Sequence, residues 1–199
     1  MFTLFVYTLG VCHVYIDNQA DVEKALKIVK DSKTDYPSAC NAMETLLFHQ
    51  DLVDSTFFHQ VCQMLRAEGV QVYSGPKIRP NMTFPPELAK KLKHEYGGLA
   101  CTIEVVGDVH EAINHIHRFG SGHTDVIITE DKANEKAFLE GVDSACVFSN
   151  CSSRMADGFR LGLGIKNQIL HFYSKIGKKY TFKCVLGRLG GCTIRYLKG

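Results

Sequence analysis

The chain has 199 residues, 45% of them hydrophobic and 22% charged, which is ordinary globular composition and enough for one domain with a sizeable core. Five prolines and no low-complexity run exclude a disordered or linker-dominated chain, and no apolar stretch is long enough to span a membrane. The net charge of +2 is uneven: residues 165–199 hold eight Lys and Arg and no acidic residue, leaving 15 basic against 21 acidic side chains, net −6, in residues 1–164. A body of that sign gives no nucleic-acid-binding surface, and the basic tail reads as a segment of different character.

Taken in order, short apolar runs alternate with amphipathic stretches, the pattern of βα units on a mainly parallel sheet. Val11–Ile16 reads as a strand, and residues 20–33 place Val22, Ala25, Leu26, Ile28 and Val29 near helical spacing. Asp35-Tyr36-Pro37-Ser38 stops that helix, because the residue before a proline is pushed away from helical angles. Cys40 falls in this break, and Glu44–His49 reads as the next strand. A helix is predicted over 55–68 with Gly69 as its stop, followed by a strand at Val70–Tyr73. Gly75 to Pro86 holds four of the five prolines and reads as a loop, with a short helix expected at 86–93. Then come a strand at Thr102–Val106, a helix from an Asp108 cap to Phe119, and a strand at Thr124–Thr129. A helix at 131–141 and a strand at Ala145–Ser149 close the pattern, which gives an α/β three-layer domain.

The eight cysteines stand at positions 12, 40, 62, 101, 146, 151, 184 and 192 with no C-x-x-C among them, which fits free thiols in a reducing compartment. The apolar first fifteen residues lack the basic leader and the small-residue cleavage site of a signal peptide. Cys12, Cys101 and Cys146 lie in or beside predicted buried strands and Cys62 lies on a helix's apolar face, so these read as small core residues. Cys40 differs. Between Pro37-Ser38-Ala39 and Asn41, backbone amides can point at a thiolate or an oxyanion, and partial exposure with nearby donors lowers a thiol's pKa. Read locally, Cys40 is either a candidate nucleophile or a buried structural cysteine. His110, His115, His117 and His123 supply no metal pair, because His115 and His117 lie about 200° apart on a helix and on opposite sides of a strand.

The string Asp35-Tyr36-Pro37-Ser38-Ala39-Cys40-Asn41-Ala42-Met43-Glu44-Thr45-Leu46-Leu47 resembles the nucleophile segment of γ-glutamyl phosphate reductases, also called glutamate-5-semialdehyde dehydrogenases. Residues 112–127, running through Gly120-Ser121-Gly122-His123-Thr124-Asp125, are similar to that family's signature, with Phe119 where tyrosine or histidine is usual. A third similar stretch is Val142–Phe148, continuing through Asn150, Ser152-Ser153-Arg154, Ala156-Asp157-Gly158 and Gly162-Leu163-Gly164. The flanking wording resembles the reductase half of the animal bifunctional Δ1-pyrroline-5-carboxylate synthases.

This resemblance, over residues 10–164, implies an aldehyde-dehydrogenase-like αβα catalytic domain with a mainly parallel sheet. The implied activity is NADPH-dependent reduction of L-glutamate 5-phosphate to L-glutamate 5-semialdehyde in proline biosynthesis, through a thioester on Cys40. Asn41 is implied in the oxyanion loop. Glu104 is implied to hold the nicotinamide ribose, the alternative being an exposed strand-end carboxylate. Asn150, Ser153 and Arg154 are implied at the substrate's phosphate or carboxylates, where arginine suits bidentate anion binding; a solvated surface arginine is the other reading. His123 and Asp125 stand in the signature, with His123 either orienting a loop, moving a proton or serving as a hydrogen-bonded structural histidine.

The resemblance also implies departures. The family's cofactor domain precedes the cysteine and would lie outside this polypeptide, and no G-x-G-x-x-G is present, so most NADPH contacts are expected elsewhere. After Gly164 the text diverges, so residues 165–199 are expected to stand outside the family fold. Family members oligomerise, which leaves a non-catalytic truncated paralogue that docks onto full-length subunits as the alternative function. The synthases imply mitochondria, with a cytoplasmic location as the other. The purified 199-residue chain is therefore expected to show no NADPH oxidation with L-glutamate 5-phosphate in a steady-state absorbance assay; turnover at a normal reductase rate would contradict this.

Overall fold

A computed structural model describes residues 9–81 and 85–157, together with the backbone of 180–182 and 193–198. Its elements in chain order are β1 (Cys12–Ile16), α1 (Val22–Thr34), β2 (Met43–His49), α2 (Thr56–Ala67), β3 (Gln71–Ser74) and β4 (Ala100–Val106). They continue as α3 (Val109–Phe119), β5 (Thr124–Ile128), α4 (Lys132–Gly141), β6 (Cys146–Ser149), β7 (Tyr180–Phe182) and β8 (Thr193–Lys198). Each of the four α-helices starts on a side chain that accepts an otherwise unpaired first-turn amide: Asp21 from Lys24, Ser55 from Phe58, Asp108 from Glu111, and Asp131 from Ala133 and Asn134.

The sheet runs β3-β4-β2-β1-β5-β6-β8-β7; the first six strands are mutually parallel, and β8 pairs antiparallel with β6 and with β7. From β1 the chain moves one way along the sheet to β2 and β3, and from β4 it moves back the other way to β5 and β6. Because parallel crossovers are right-handed, the two directions put their helices on opposite faces. Accordingly α1 and α2 cover one face and α3 and α4 the other, giving the three-layer αβα arrangement expected from the sequence.

Side chains sort by the two-residue period of a strand. Val14, Ile16, Leu46, Phe48, Val126, Ile128 and Phe148 enter the core under α1 and α2, while Tyr15, Leu47, Ile127 and Val147 enter the one under α3 and α4. Burial on both faces is why β1, β2 and β5 are buried at every position.

The expected short helix at 86–93 is not formed. Leu88 instead makes a parallel bridge to Ser74, with the Ser74 amide donating to Glu87 O and the Ala89 amide to Ser74 O, so this stretch extends the β3 edge. Residues 165–179, 183–192 and 199, most of the divergent tail, lie outside the described residues, whereas β7 and β8 from that tail join the sheet through backbone pairing. No helix among the described residues is long and apolar enough to cross a membrane. Phe48 is fully buried and meets Phe58 edge to face with ring centroids 4.9 Å apart. Phe48→Ala is expected to lower the unfolding free energy by about 3–5 kcal/mol in urea titrations followed by circular dichroism.

Candidate active site

The turn between α1 and β2 carries Cys40 to the amino edge of the sheet. The Asp35 amide closes the last turn of α1 on Asp31 O, Tyr36 takes a left-handed conformation (φ 58°), and Pro37 prevents further helix. Two tight turns follow, with the Ala39 amide donating to Tyr36 O and the Ala42 amide to Ala39 O. The entry to β1 packs directly beneath: a Cβ on Gly10 would sit 2.3 Å from Cys40 O, so glycine is required by this close approach. Cys12 Sγ donates to Cys40 O at 3.2 Å, pinning the same carbonyl.

The thiols divide by environment. Burial pushes Cys62 up to about 11 and Cys101 and Cys146 to about 12, and it drives Cys12 well above its usual value with Asp125 adding to the effect. Cys40 is half-buried. Its pKa is also raised, by burial first and then by the charge of Glu95, while its own amide, the Arg154 guanidinium and the Asn41 amide pull it down. The donors foreseen from the sequence are present, but the expected lowering is not the net result, because desolvation outweighs them.

Arg154 arrives from the far side of the sequence. After β6 the chain turns at Asn150 (φ 50°) and runs back along α1 to the amino edge. The contacts mark the path: the Ser153 amide donates to Ser32 Oγ at 3.1 Å, Arg154 Nε to Asp35 O at 2.7 Å, and Asn41 Nδ2 to Ala156 O at 3.2 Å. Arg154 Nη1 also donates to Asn41 Oδ1, and its guanidinium lies 5.9 Å from the Tyr36 ring centre. Arg154 is 7% exposed, so it is no solvated surface arginine; it is built into the turn that holds Cys40. Ser153 Oγ is buried nearby and has no hydrogen-bond partner among the described residues.

Other sequence candidates lie apart from this cluster. Asn150 accepts the Thr129 amide and donates to Thr129 O, tying β6 to the β5–α4 connection at the opposite edge. Glu104 is 1% exposed and sits beside Leu47 in the sheet register, well along β2 from Cys40. One of its oxygens accepts the Ile78 and Val105 amides and the other the Lys77 amide, so it is not an exposed strand-end carboxylate. It fastens the proline-rich loop to β4. Asp125 is buried between the His13 amide and ring at one oxygen and Ser144 Oγ at the other. His123 is buried with Nδ1 2.8 Å from Thr124 Oγ1 and 3.7 Å from Cys12 Sγ, one shell behind Cys40. Among the described residues no group of three His, Cys, Asp or Glu gathers to hold a metal ion.

Two carboxylates were not singled out from sequence. Glu95 acts on the Cys40 thiol from the loop before β4. Glu44, fully buried on β2, pairs with the equally buried Lys33 at 3.2 Å and accepts the Tyr96 amide at 3.1 Å. A lone carboxylate four residues beyond the nucleophile on a largely apolar strand was the visible signal for Glu44; Glu95 had none beyond its place before Tyr96-Gly97-Gly98.

No protein-family model matches the chain. A Delta-1-pyrroline-5-carboxylate synthase of Solanum lycopersicum is 52% identical over 155 residues, covering 78% of this chain. A gamma-glutamyl phosphate reductase of Synechococcus is 47% identical over 158 residues. The chain is homologous to these synthases and reductases. It spans 21% of the tomato synthase and 34% of the Synechococcus reductase. The tomato, rice and Arabidopsis synthases that it matches are plant proteins. Among solved structures, gamma-glutamyl phosphate reductase of Thermotoga maritima superposes with a TM-score of 0.75 at 35% identity, over 82% of this chain and 41% of that one. The NADP-dependent glyceraldehyde-3-phosphate dehydrogenase of Bacillus halodurans, at 13% identity and TM-score 0.57 over 72% of this chain and 38% of that one, shares the aldehyde-dehydrogenase fold.

The Arg154 charge pulls the Cys40 pKa down and its bonds brace the turn, so Arg154→Met is expected to move the midpoint of Cys40 alkylation to higher pH. Mass spectrometry of the Cys40 peptide after brief iodoacetamide exposure measures it.

Proposed function

We propose that this chain supplies the nucleophile for the NADPH-dependent reduction of L-glutamate 5-phosphate to L-glutamate 5-semialdehyde, a reductive step of proline biosynthesis. The observation that carries the reading is the half-buried Cys40 with its own amide and that of Asn41 acting on the sulfur, in a chain homologous to gamma-glutamyl phosphate reductases. In the first step the Cys40 thiolate attacks the γ-carbonyl carbon. A C–S bond forms, the acyl C–O bond breaks, and inorganic phosphate leaves with the electron pair. The Cys40 and Asn41 amides are the donors for the oxyanion that develops on the carbonyl oxygen. Arg154 keeps those amides in place through Asp35 and Asn41, and its positive charge favours the thiolate.

A nicotinamide coenzyme, when bound, supplies the hydride that turns the thioester into the aldehyde and returns the thiol. Among the described residues Glu104 is committed to three backbone amides, and the sequence holds no G-x-G-x-x-G. The first half-reaction is therefore the one assigned to these residues. A mitochondrial location and association with full-length subunits go with this reading.

Incubating the chain with L-glutamate 5-phosphate generated in situ by a glutamate kinase tests it. A hydroxylamine-labile glutamyl adduct on the Cys40 peptide, with one phosphate released per adduct, is expected in acid-quenched mass spectra. Cys40→Ser should abolish both. Acylation confined to other cysteines, or none at all, would overturn the assignment.

A further inference from the structure

Beside the candidate nucleophile stands a second thiol that the reduction does not use. Cys12 opens β1 and is fully buried, with Sγ 3.2 Å from Cys40 O and 3.7 Å from His123 Nδ1. One sulfur therefore touches both the residue that carries the nucleophile and a ring nitrogen able to take a proton. The two backbones are in contact as well, since a Cβ on Gly10 would stand 2.8 Å from Cys40 Cα. The register between β1 and β2 shifts between Cys12 and His13, Cys12 facing Met43 and His13 facing Thr45. An irregularity of this kind re-aims the side chain beside it, here toward the turn that precedes β2.

The two thiols differ in access to water. Cys40 is half-buried, while Cys12 has no exposed surface. Burial keeps Cys12 protonated, with the Asp125 charge and then that of Cys40 adding to the effect. A thiol of the first kind meets small oxidants from solution; one of the second is shielded from them and acts on a neighbour. A cysteine oxidised to its sulfenic acid goes on to the irreversible sulfinic acid under excess oxidant unless another thiol captures it.

We infer that Cys12 and Cys40 form a reversible oxidation site: Cys40 meets a hydroperoxide, Cys12 resolves the product, and His123 accepts the Cys12 proton. In the first step the Cys40 thiolate attacks the terminal peroxide oxygen. An S–O bond forms, the O–O bond breaks, and the alkoxide or hydroxide leaves with the electron pair and takes up the proton that the thiol lost. In the second step Cys12 Sγ attacks Cys40 Sγ. The S–S bond forms, the S–O bond breaks, and hydroxide leaves; the Cys12 proton passes to His123 Nδ1 and on to the hydroxide, giving water. Two thiols are oxidised and one hydroperoxide is reduced. Cys12 gives up its bond to Cys40 O, and the sulfurs meet by side-chain rotation and a shift of a turn that has only two short backbone bonds of its own. A dithiol reverses the bond by exchange. While the disulfide stands, the nucleophile is masked. The inference rests on Cys40 as the accessible thiol and not on its substrate. Oxidation is read without L-glutamate 5-phosphate, so failure of acylation and failure of the disulfide are separable.

The test treats the reduced 199-residue chain, kept dilute, with stoichiometric hydrogen peroxide, blocks it with N-ethylmaleimide and maps its peptides by mass spectrometry without reductant. A peptide pair joined through Cys12 and Cys40 within one chain, and cleaved by dithiothreitol, is expected. Cys12→Ser keeps a hydroxyl donor for Cys40 O; there a dimedone-trapped sulfenic acid should accumulate on Cys40 and proceed to sulfinic acid under excess peroxide. His123→Asn should slow disulfide formation on the order of a hundredfold while the sulfenic acid appears at the wild-type rate, a split that a loosened fold does not give. Cys40 joined to another cysteine, or passing to sulfinic acid as fast in the wild type as in Cys12→Ser, overturns the inference. A disulfide that forms as fast in His123→Asn as in the wild type overturns the histidine's part. If Cys12→Ser does not fold by circular dichroism, the wild-type peptide map decides alone.

Discussion

The guanidinium of Arg154 is the interaction on which the site depends. It reaches the Asp35 carbonyl at the end of α1 and the Asn41 side chain just after Cys40, so it spans the nucleophile turn from both sides. Without such a brace the turn between a helix and a buried strand has only two short backbone bonds of its own. Planar, multiply donating arginine can satisfy a carbonyl and an amide oxygen at once and still leave its charge near the sulfur, which an ammonium group does less well.

That brace works because the amino edge of the sheet is crowded with backbone. Gly10 leaves room for the Cys40 carbonyl, Cys12 bonds to it, and the chain after β6 returns along α1 to close the other side. Ligands in open α/β sheets usually sit at the carboxyl ends of the strands. Here the thiol lies at the opposite edge, since it follows a helix and precedes a strand. The layers behind it are apolar and continuous, so the remaining described thiols that titrate abnormally are driven up by burial, while Cys40 keeps partial access to water.

Much of the fold was legible in the chain. Strands β1, β2 and β5 and helices α1 to α4 fall within a residue or two of their predicted bounds, because alternating apolar runs and helical spacing both point to the same two-faced sheet. The Asp108 cap was readable from its place before an amphipathic run. The segment at 86–93 was misread as helix because its bonding is set by the neighbouring Ser74 backbone rather than by its own periodicity. The bonds of Glu104 were not legible for a related reason: a carboxylate on a strand carries no mark of whether it is exposed or accepts the amides of a distant loop.

By itself, then, the amino-acid order determined the elements, the three-layer class and the candidate thiol, since these follow from local periodicity, from a proline-broken turn and from a resemblance carried by contiguous motifs. Tertiary structure alone decided which charges surround that thiol. Arg154 is 114 positions from Cys40 and Glu95 is 55, and the charges of both act on the thiol across that separation. Electrostatic influence depends on distance in space and on burial, and neither quantity is written in the spacing of residues along a chain.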